Sequence, residues 1–146
     1  MSMIPKLNAL LADELTAIHQ YILHAEMDEN WGYGQLHDAV MKRAKMEMRH
    51  ASRLMSRILS LGGVPVVSRL NAIQTGQDVP KQFQMDRLME LAAIAAYKEA
   101  AVGADDMTCL LLGLNLKDEK DHLNWLDSQL ALIDKMGVNA YLSTMV

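Results

Sequence analysis

The sequence has a single cysteine, Cys109, in 146 residues. No disulfide can form within the chain, and a cysteine-based metal site is excluded. Aromatic residues are scarce at 5%, although 51% of the chain is hydrophobic and twelve residues are methionine. Aliphatic, Met-rich side chains suit helices packed on helices better than a sheet sandwich. Three prolines and eight glycines leave little punctuation, so the elements should be few and long. No block of Lys or Arg occurs, and the net charge is −4. That balance argues against a nucleic-acid partner and favours attraction of cations. No apolar run approaches the roughly 18 residues a membrane span needs. The N-terminal stretch MSMIPKLNALLADELTA lacks the basic segment of a signal peptide and meets Asp13 and Glu14 early. The expectation is a soluble cytoplasmic protein, with one domain over residues 1–146.

What is present is helical periodicity. Pro5 can open a first helix, and Leu7, Leu10, Leu11, Leu15, Ile18, Ile22 and Ala25 recur at three- and four-residue steps. The pattern breaks at Trp31-Gly32-Tyr33-Gly34. A second helix is predicted from about Gln35 to Leu61, stopped by Gly62-Gly63 with Pro65 behind. Residues 62–80 have no helical period, which makes an unusually long connection. About 19 residues at roughly 3.3 Å each reach about 60 Å. That exceeds the length of the second helix at 1.5 Å per residue, so a third helix can start at the far end and run parallel to the second. A single long crossover of this kind belongs to one class of four-helix bundle. The third helix is predicted from after Pro80 to about Ala104. A turn near Asp105-Asp106 leads into a fourth that ends at about Met136, before Gly137. Residues 138–146 can form one short fifth helix.

An internal repeat runs through this plan. Glu14-Leu-Thr-Ala-Ile-His-Gln-Tyr21 aligns with Glu90-Leu-Ala-Ala-Ile-Ala-Ala-Tyr97, and Glu47-Met-Arg-His50 aligns with Glu119-Lys-Asp-His122. Each half is a helical hairpin with Glu on its first helix and Glu-x-x-His on its second. Two amphipathic hairpins would share Leu and Ala simply by burying them, but that does not account for matching acids. From composition, one Glu-x-x-His is expected roughly 0.2 times in this chain. Residues three apart share a helix face, so each Glu-His pair can grip one side of an ion. Glu14 shares a stripe with Ile18, Tyr21 and Ala25, and Glu90 one with Ile94 and Tyr97. The acids therefore face the core.

Buried carboxylates are costly unless paired or metal-bound, and four together repel one another. Two divalent cations balance four carboxylates, and two neutral imidazoles complete the shells. Carboxylate and imidazole without thiolate suit iron or manganese.

The chain resembles the bacterioferritins along nearly its whole length. The likeness is carried by Asp13 to Ala25, Asn30-Trp31-Gly32, Glu47-Met-Arg-His50-Ala51, Arg57-Ile-Leu and Gly63-Val-Pro65. It continues through Asp118-Glu119 with His122, Trp125-Leu, Gln129-Leu, Met136-Gly137 and Tyr141-Leu142. The resemblance implies an all-α, ferritin-like four-helix bundle with a short C-terminal fifth helix. It implies two iron ions per subunit at a ferroxidase centre of Glu14, Glu47, His50, Glu90, Glu119 and His122, with Glu47 and Glu119 bridging. Fe(II) would be oxidised by O2 or H2O2 and ferric mineral stored in a hollow homo-oligomeric shell, of roughly 24 subunits built from dimers. The resemblance also implies a haem b shared between two subunits through Met48 and a possible ferredoxin-type reductant.

Helix geometry is compatible with a separate role for Met48, which stands about 100° from Glu47 and 200° from His50. Met41, Met48 and Met55 form a seven-residue stripe, which could equally be ordinary interface packing. Tyr21 could donate an electron or hydrogen-bond a ligand, or be a core tyrosine. His24 and His37 read as surface or packing residues, and His19 has no assigned role.

Two features depart from the resemblance. The stretch from Glu90 to Glu119 is about four residues short, near Asp105–Leu111. Lys42 and Met46 also stand where some members carry a His and an Asp facing the shell cavity, so that inner iron site is expected to be absent. The competing class is a non-storing di-iron oxidase or peroxidase of rubrerythrin type. Its usual Cys-rich electron-transfer site is excluded by the lone cysteine. A DNA-protecting mini-ferritin would lack the paired Glu-x-x-His, and a haem-only or structural bundle would not retain four core acids.

Overall fold

The computed structural model describes residues 2–146. Five helices account for the fold, with no strand among the described residues: α1 (Ile4–Asn30), α2 (Gly34–Ser60), α3 (Val79–Ala101), α4 (Asp106–Met136) and α5 (Val138–Ser143). α1 packs against α2 and α3 against α4, as two hairpins that close on one another to form the bundle. No helix among them is long and apolar enough to cross a membrane.

The helix ends follow local chemistry. Asp78 caps α3 by accepting a hydrogen bond from the Lys81 amide at 2.9 Å, with Pro80 in the first turn where its missing N–H costs nothing. The third helix therefore begins at Val79, just before the predicted start. It ends at Ala101, about three residues earlier than the predicted Ala104, and Gly103 turns the chain with φ +77°. Asp105 then caps α4 through the Thr108 amide at 2.9 Å. The hairpin is thus closed by a short, well-satisfied turn. Gly137, at φ +85°, separates α4 from α5 in a conformation that L side chains rarely adopt.

The crossover from α2 to α3 lies along α1, and side chains of α1 hold it in register. Asn8 donates to the Val64 carbonyl and accepts from the Val66 amide. The Asn71 amide donates to Thr16, and its side chain donates to Asp13 at 2.7 Å. The Gln74 amide donates to Gln20, and the Gly76 amide donates to Nε2 of His24 at 3.0 Å. Contact positions advance together on both segments, so the crossover runs parallel to α1 from its start towards its end. That delivers the start of α3 beside the end of α1 and makes α3 antiparallel to α1. Gly76 is required by contact as well, since a Cβ there would lie 2.3 Å from the Gln82 backbone nitrogen.

His24 is fully buried and belongs to the packing, as expected, but in a polar role. Its Nδ1 lies 3.0 Å from Asp86 of α3, which also accepts from Gln20 at 2.9 Å. His24 and Gln20 therefore clamp α1, the crossover and α3 together. The bundle floor is closed by Phe83, Trp125 and Tyr141, which pack edge to face at 5.7 Å and 6.2 Å around Phe83. The Tyr141 hydroxyl donates to Gln129, fixing α5 beneath α4.

Replacing His24 with Ala leaves the buried Asp86 carboxyl and the Gly76 amide short of a partner. It is expected to cost about 2–4 kcal/mol in denaturant unfolding and to accelerate hydrogen exchange at Gly76. Unchanged exchange at that amide would show that the crossover is held without this clamp.

Candidate metal centre

The six acids and imidazoles singled out by the repeat converge in the middle of the bundle. Donor atoms of Glu14, Glu47, His50 and Glu119 all lie within 4.8 Å of one another, as do those of Glu47, Glu90 and His122. Glu47 belongs to both groups, which places two candidate ion positions side by side and Glu47 between them. All six side chains are at most 3% exposed. His50 Nδ1 lies 2.8 Å from Glu119, 3.1 Å from Glu47 and 3.5 Å from Glu14. His122 Nδ1 lies 3.0 Å from Glu90.

The donor set fits a metal pair. Glu14 Oε2, Glu47 Oε1 and Glu90 Oε2 are buried oxygens with no hydrogen-bond partner. Native interiors rarely leave such groups unpaired unless something else satisfies them. Oxygen and imidazole donors in a compact group are the ligands that divalent first-row metals take.

Around the six stands a ring of supporting residues. The Tyr21 hydroxyl donates to Glu90 and lies 3.1 Å from His122, so of its sequence readings the ligand hydrogen bond is the one present. Tyr97 donates to Glu14 at 2.6 Å and is held in turn by Asn115 at 3.1 Å. Asp118 lies 2.9 Å from Nε2 of His50, which orients that ring with Nδ1 inward. The roles of Tyr97, Asn115 and Asp118 were not evident from the sequence, although Tyr97 is the repeat partner of Tyr21. Among the described residues His19 bonds only the Leu15 carbonyl, and half-buried His37 sits among Glu26, Glu29 and Asp38, away from the centre. A cavity of about 420 Å³, lined by Asp13, Glu14, Gln20, Asn71 and Glu90 among others, opens beside the centre under the crossover.

Crowding these acids and imidazoles in the interior shifts their proton affinities. Burial, reinforced by the Glu14 charge, pushes the Glu47 carboxyl up to about 8. Burial likewise raises Glu14 and Glu119 and, aided by the Glu119 charge, lifts Glu90 well above the carboxylate range. For His50 burial opposes protonation, but hydrogen bonds to Glu119, Glu14 and Glu47 outweigh it and its pKa is raised. His122 is lowered, because burial prevails over its single Glu90 partner.

A pH dependence of stability follows. Raised groups hold protons in the folded chain that the unfolded chain has released, so their contribution fades as pH rises through the folded pKa. For Glu47 the loss runs from its ordinary 4.5 up to about 8, and for His50 it begins above 6.5. His122, lowered from 6.5, acts only below that value. Between pH 6.5 and 8 the metal-free protein is therefore expected to lose several degrees of melting temperature. A redox-silent divalent ion such as Zn(II) should restore most of this, because it replaces the protons. A melting temperature flat over this range in metal-free protein would contradict the crowding of these acids.

Comparison with known proteins agrees with the geometry. Residues 4–136 match the ferritin family, described as a ferritin-like domain. The bacterioferritin of Mycolicibacterium paratuberculosis is 38% identical over 139 residues, covering 92% of this chain and 87% of its own. That of Streptomyces coelicolor is 40% identical over 144 residues, covering 96% and 86%. The crystal structure of BfrA from M. tuberculosis superposes with a TM-score of 0.97 at 35% identity, over 99% of this chain and 92% of that one. A four-helix bundle with one long crossover, a short fifth helix and a doubled Glu and Glu-x-x-His core thus places this chain in the ferritin-like family, among the bacterioferritins.

Proposed function

We propose that this chain is an iron-storage subunit whose centre of Glu14, Glu47, His50, Glu90, Glu119 and His122 binds two iron ions and oxidises Fe(II). The observation that carries the reading is the pair of ligand groups sharing Glu47, with unpartnered carboxylate oxygens directed into the bundle. When bound as a pair, Fe(II) supplies one electron from each ion to O2 or H2O2. The chain's own part is to gather and release charge. Four carboxylates neutralise two divalent ions, and the raised acids give up their protons as the ions enter. Tyr21 and Tyr97 hydrogen-bond the terminal carboxylates Glu90 and Glu14, and so fix which oxygen of each is free. Asp118 holds His50 with Nδ1 facing inward.

The proposal extends to assembly. Ferric mineral is deposited in a hollow cytoplasmic shell of roughly 24 copies built on two-fold dimers, with a ferredoxin-type reductant for release. A haem b shared between two subunits would be held by Met48 of each. Met48 is 45% exposed on a helix whose Glu47 is fully buried, so its thioether is free to meet a neighbouring copy. Half-buried Met41 and Met55 flank it.

Replacing Glu47 or His50 with Ala is expected to cut the initial rate of Fe(II) oxidation at least about a hundredfold while far-UV circular dichroism stays helical. A variant oxidising at the wild-type rate would refute the assignment. Met48→Leu is expected to abolish the Soret band of haem-reconstituted protein and leave the oxidation rate unchanged, because the two sites use different faces of α2. Wild-type protein that takes up no haem would remove Met48 from the reading. A solution species of two subunits, twice the 16.3 kDa chain mass, would remove the storage shell.

A further inference from the structure

The internal repeat is broken at one place behind the histidines. Asp118 precedes Glu119 and backs His50 at 2.9 Å. The repeat position that precedes Glu47 is Met46, so His122 has no equivalent carboxylate. Nδ1 of His122 is turned inward to Glu90 and Tyr21, and its Nε2 has no protein partner among the described residues. The ring, only 3% exposed, lines a cleft of about 370 Å³ between α2 and α4 whose other walls are Ala39, Lys42, Arg43, Met46 and Trp125. Trp125 stacks on the imidazole with centroids 5.9 Å apart and holds it in place.

The charged groups at this cleft are of one sign. Among the described residues Lys42 makes no ion pair, and Arg43 reaches only the Asp118 carbonyl at 3.3 Å and the Met46 sulfur at 3.4 Å. The acids on the flanking turns are engaged elsewhere. Asp118 is taken by His50 and Arg53, Asp121 by Lys117, and Asp38 by His37. What sets this cleft apart is that Lys42 and Arg43 share it with a buried imidazole edge, and no acid is among the residues that line it.

The geometry points to a binding site for a phosphate-like oxyanion in this cleft, held by Lys42, Arg43 and the Nε2–H of His122. Arg offers a fork of donors and Lys a mobile point charge, the usual pair for a tetrahedral dianion. The part played by His122 rests on the proposed metal centre. A metal ion held at Nδ1 leaves the ring proton on Nε2, which makes that edge a donor into the cleft. Metal and oxyanion should then reinforce one another, since each favours the same tautomer. Oxidation of two Fe(II) ions adds two positive charges to a centre that four carboxylates only just balance, and an anion one imidazole away offsets part of that.

The test is titration of inorganic phosphate into the assembled protein, followed by calorimetry and phosphorus NMR. Metal-free wild type is expected to bind one phosphate per chain. Lys42→Glu, a change at an exposed position, should weaken binding at least about tenfold, and Lys98→Glu on α3 should not. Absence of binding, or equal binding by wild type and Lys42→Glu, overturns the site. In the Zn(II)-loaded protein phosphate should bind several-fold more tightly, and only where Lys42 is present. Affinity unchanged by bound zinc would remove His122 from the site. Failure to take up zinc would count against the metal reading, and the metal-free comparison at Lys42 would still decide the cleft.

Discussion

The constraint on which the rest depends is electrostatic: four carboxylates share the interior of one helical bundle. No burial of Leu or Ile offsets that repulsion directly, and hydrogen bonds alone do not absorb it, as the unpartnered oxygens of Glu14, Glu47 and Glu90 attest. The charge is acceptable only if it is balanced by protons or by cations. The raised pKa values of all four acids fit balance by protons, and the clustering of donors within 4.8 Å fits balance by cations. The scaffold must survive both, so the acids sit on four separate long helices whose packing above and below the centre is apolar. Leu7, Leu11, Leu54 and Ile58 pack on one side, and Leu36, Phe83 and Leu126 on the other. Two greasy layers thus enclose one charged layer.

The doubled motif also shows how that layer is kept in order. Tyr21 and Tyr97 occupy equivalent repeat positions, and each crosses to the carboxylate of the other hairpin, Glu90 and Glu14 respectively. The exchange ties the hairpins together at the site, where apolar packing is interrupted. The repeat matches in residue type at the candidate ligands and at these tyrosines but fails behind the histidines. Asp118 anchors His50, whereas Met46 leaves the back of His122 open to a cleft walled by Lys42 and Arg43. The two halves of the repeat match in residue type, but Glu47 joins both donor groups and Glu119 only one, and what lies behind the two histidines differs.

Much of this was legible in the sequence because it is periodic. Helical spacing with Gly and Pro punctuation marks the four long helices to within about three residues, and the matched acids single out the candidate ligands because no packing rule demands Glu at those positions. The termini of α3 were harder. A Pro in the first turn extends a helix backward as readily as it starts one, and the stop lies in the backbone of Gly103 rather than in any change of hydrophobicity. The clamp of Gln20, His24 and Asp86 was not legible either. It joins residues 62 and 66 positions apart, and such pairing leaves no local pattern. Asp118 and Asn115 were hidden for the same reason, since a polar residue beside a ligand reads as solvated surface until the opposite helix is in place.

The second helix brings these lines together. Its inward face carries Glu47 and His50 at 0% exposure, and its outward face carries Met48 at 45%. Between the two, Lys42, Arg43 and Met46 border the α4 cleft. With 3.6 residues per turn, neighbours in sequence are thrown onto different faces, so a stretch of a few turns can serve a buried charged layer, an exposed thioether and a cationic groove without conflict. The same geometry limits what may change. A substitution at Met46 or Lys42 alters the environment of His122 from behind without touching a ligand, whereas one at Glu47 removes an acid that both candidate ion positions share. This chain breaks its own repeat at such a position, where Met46 stands opposite the Asp118 that backs the other histidine.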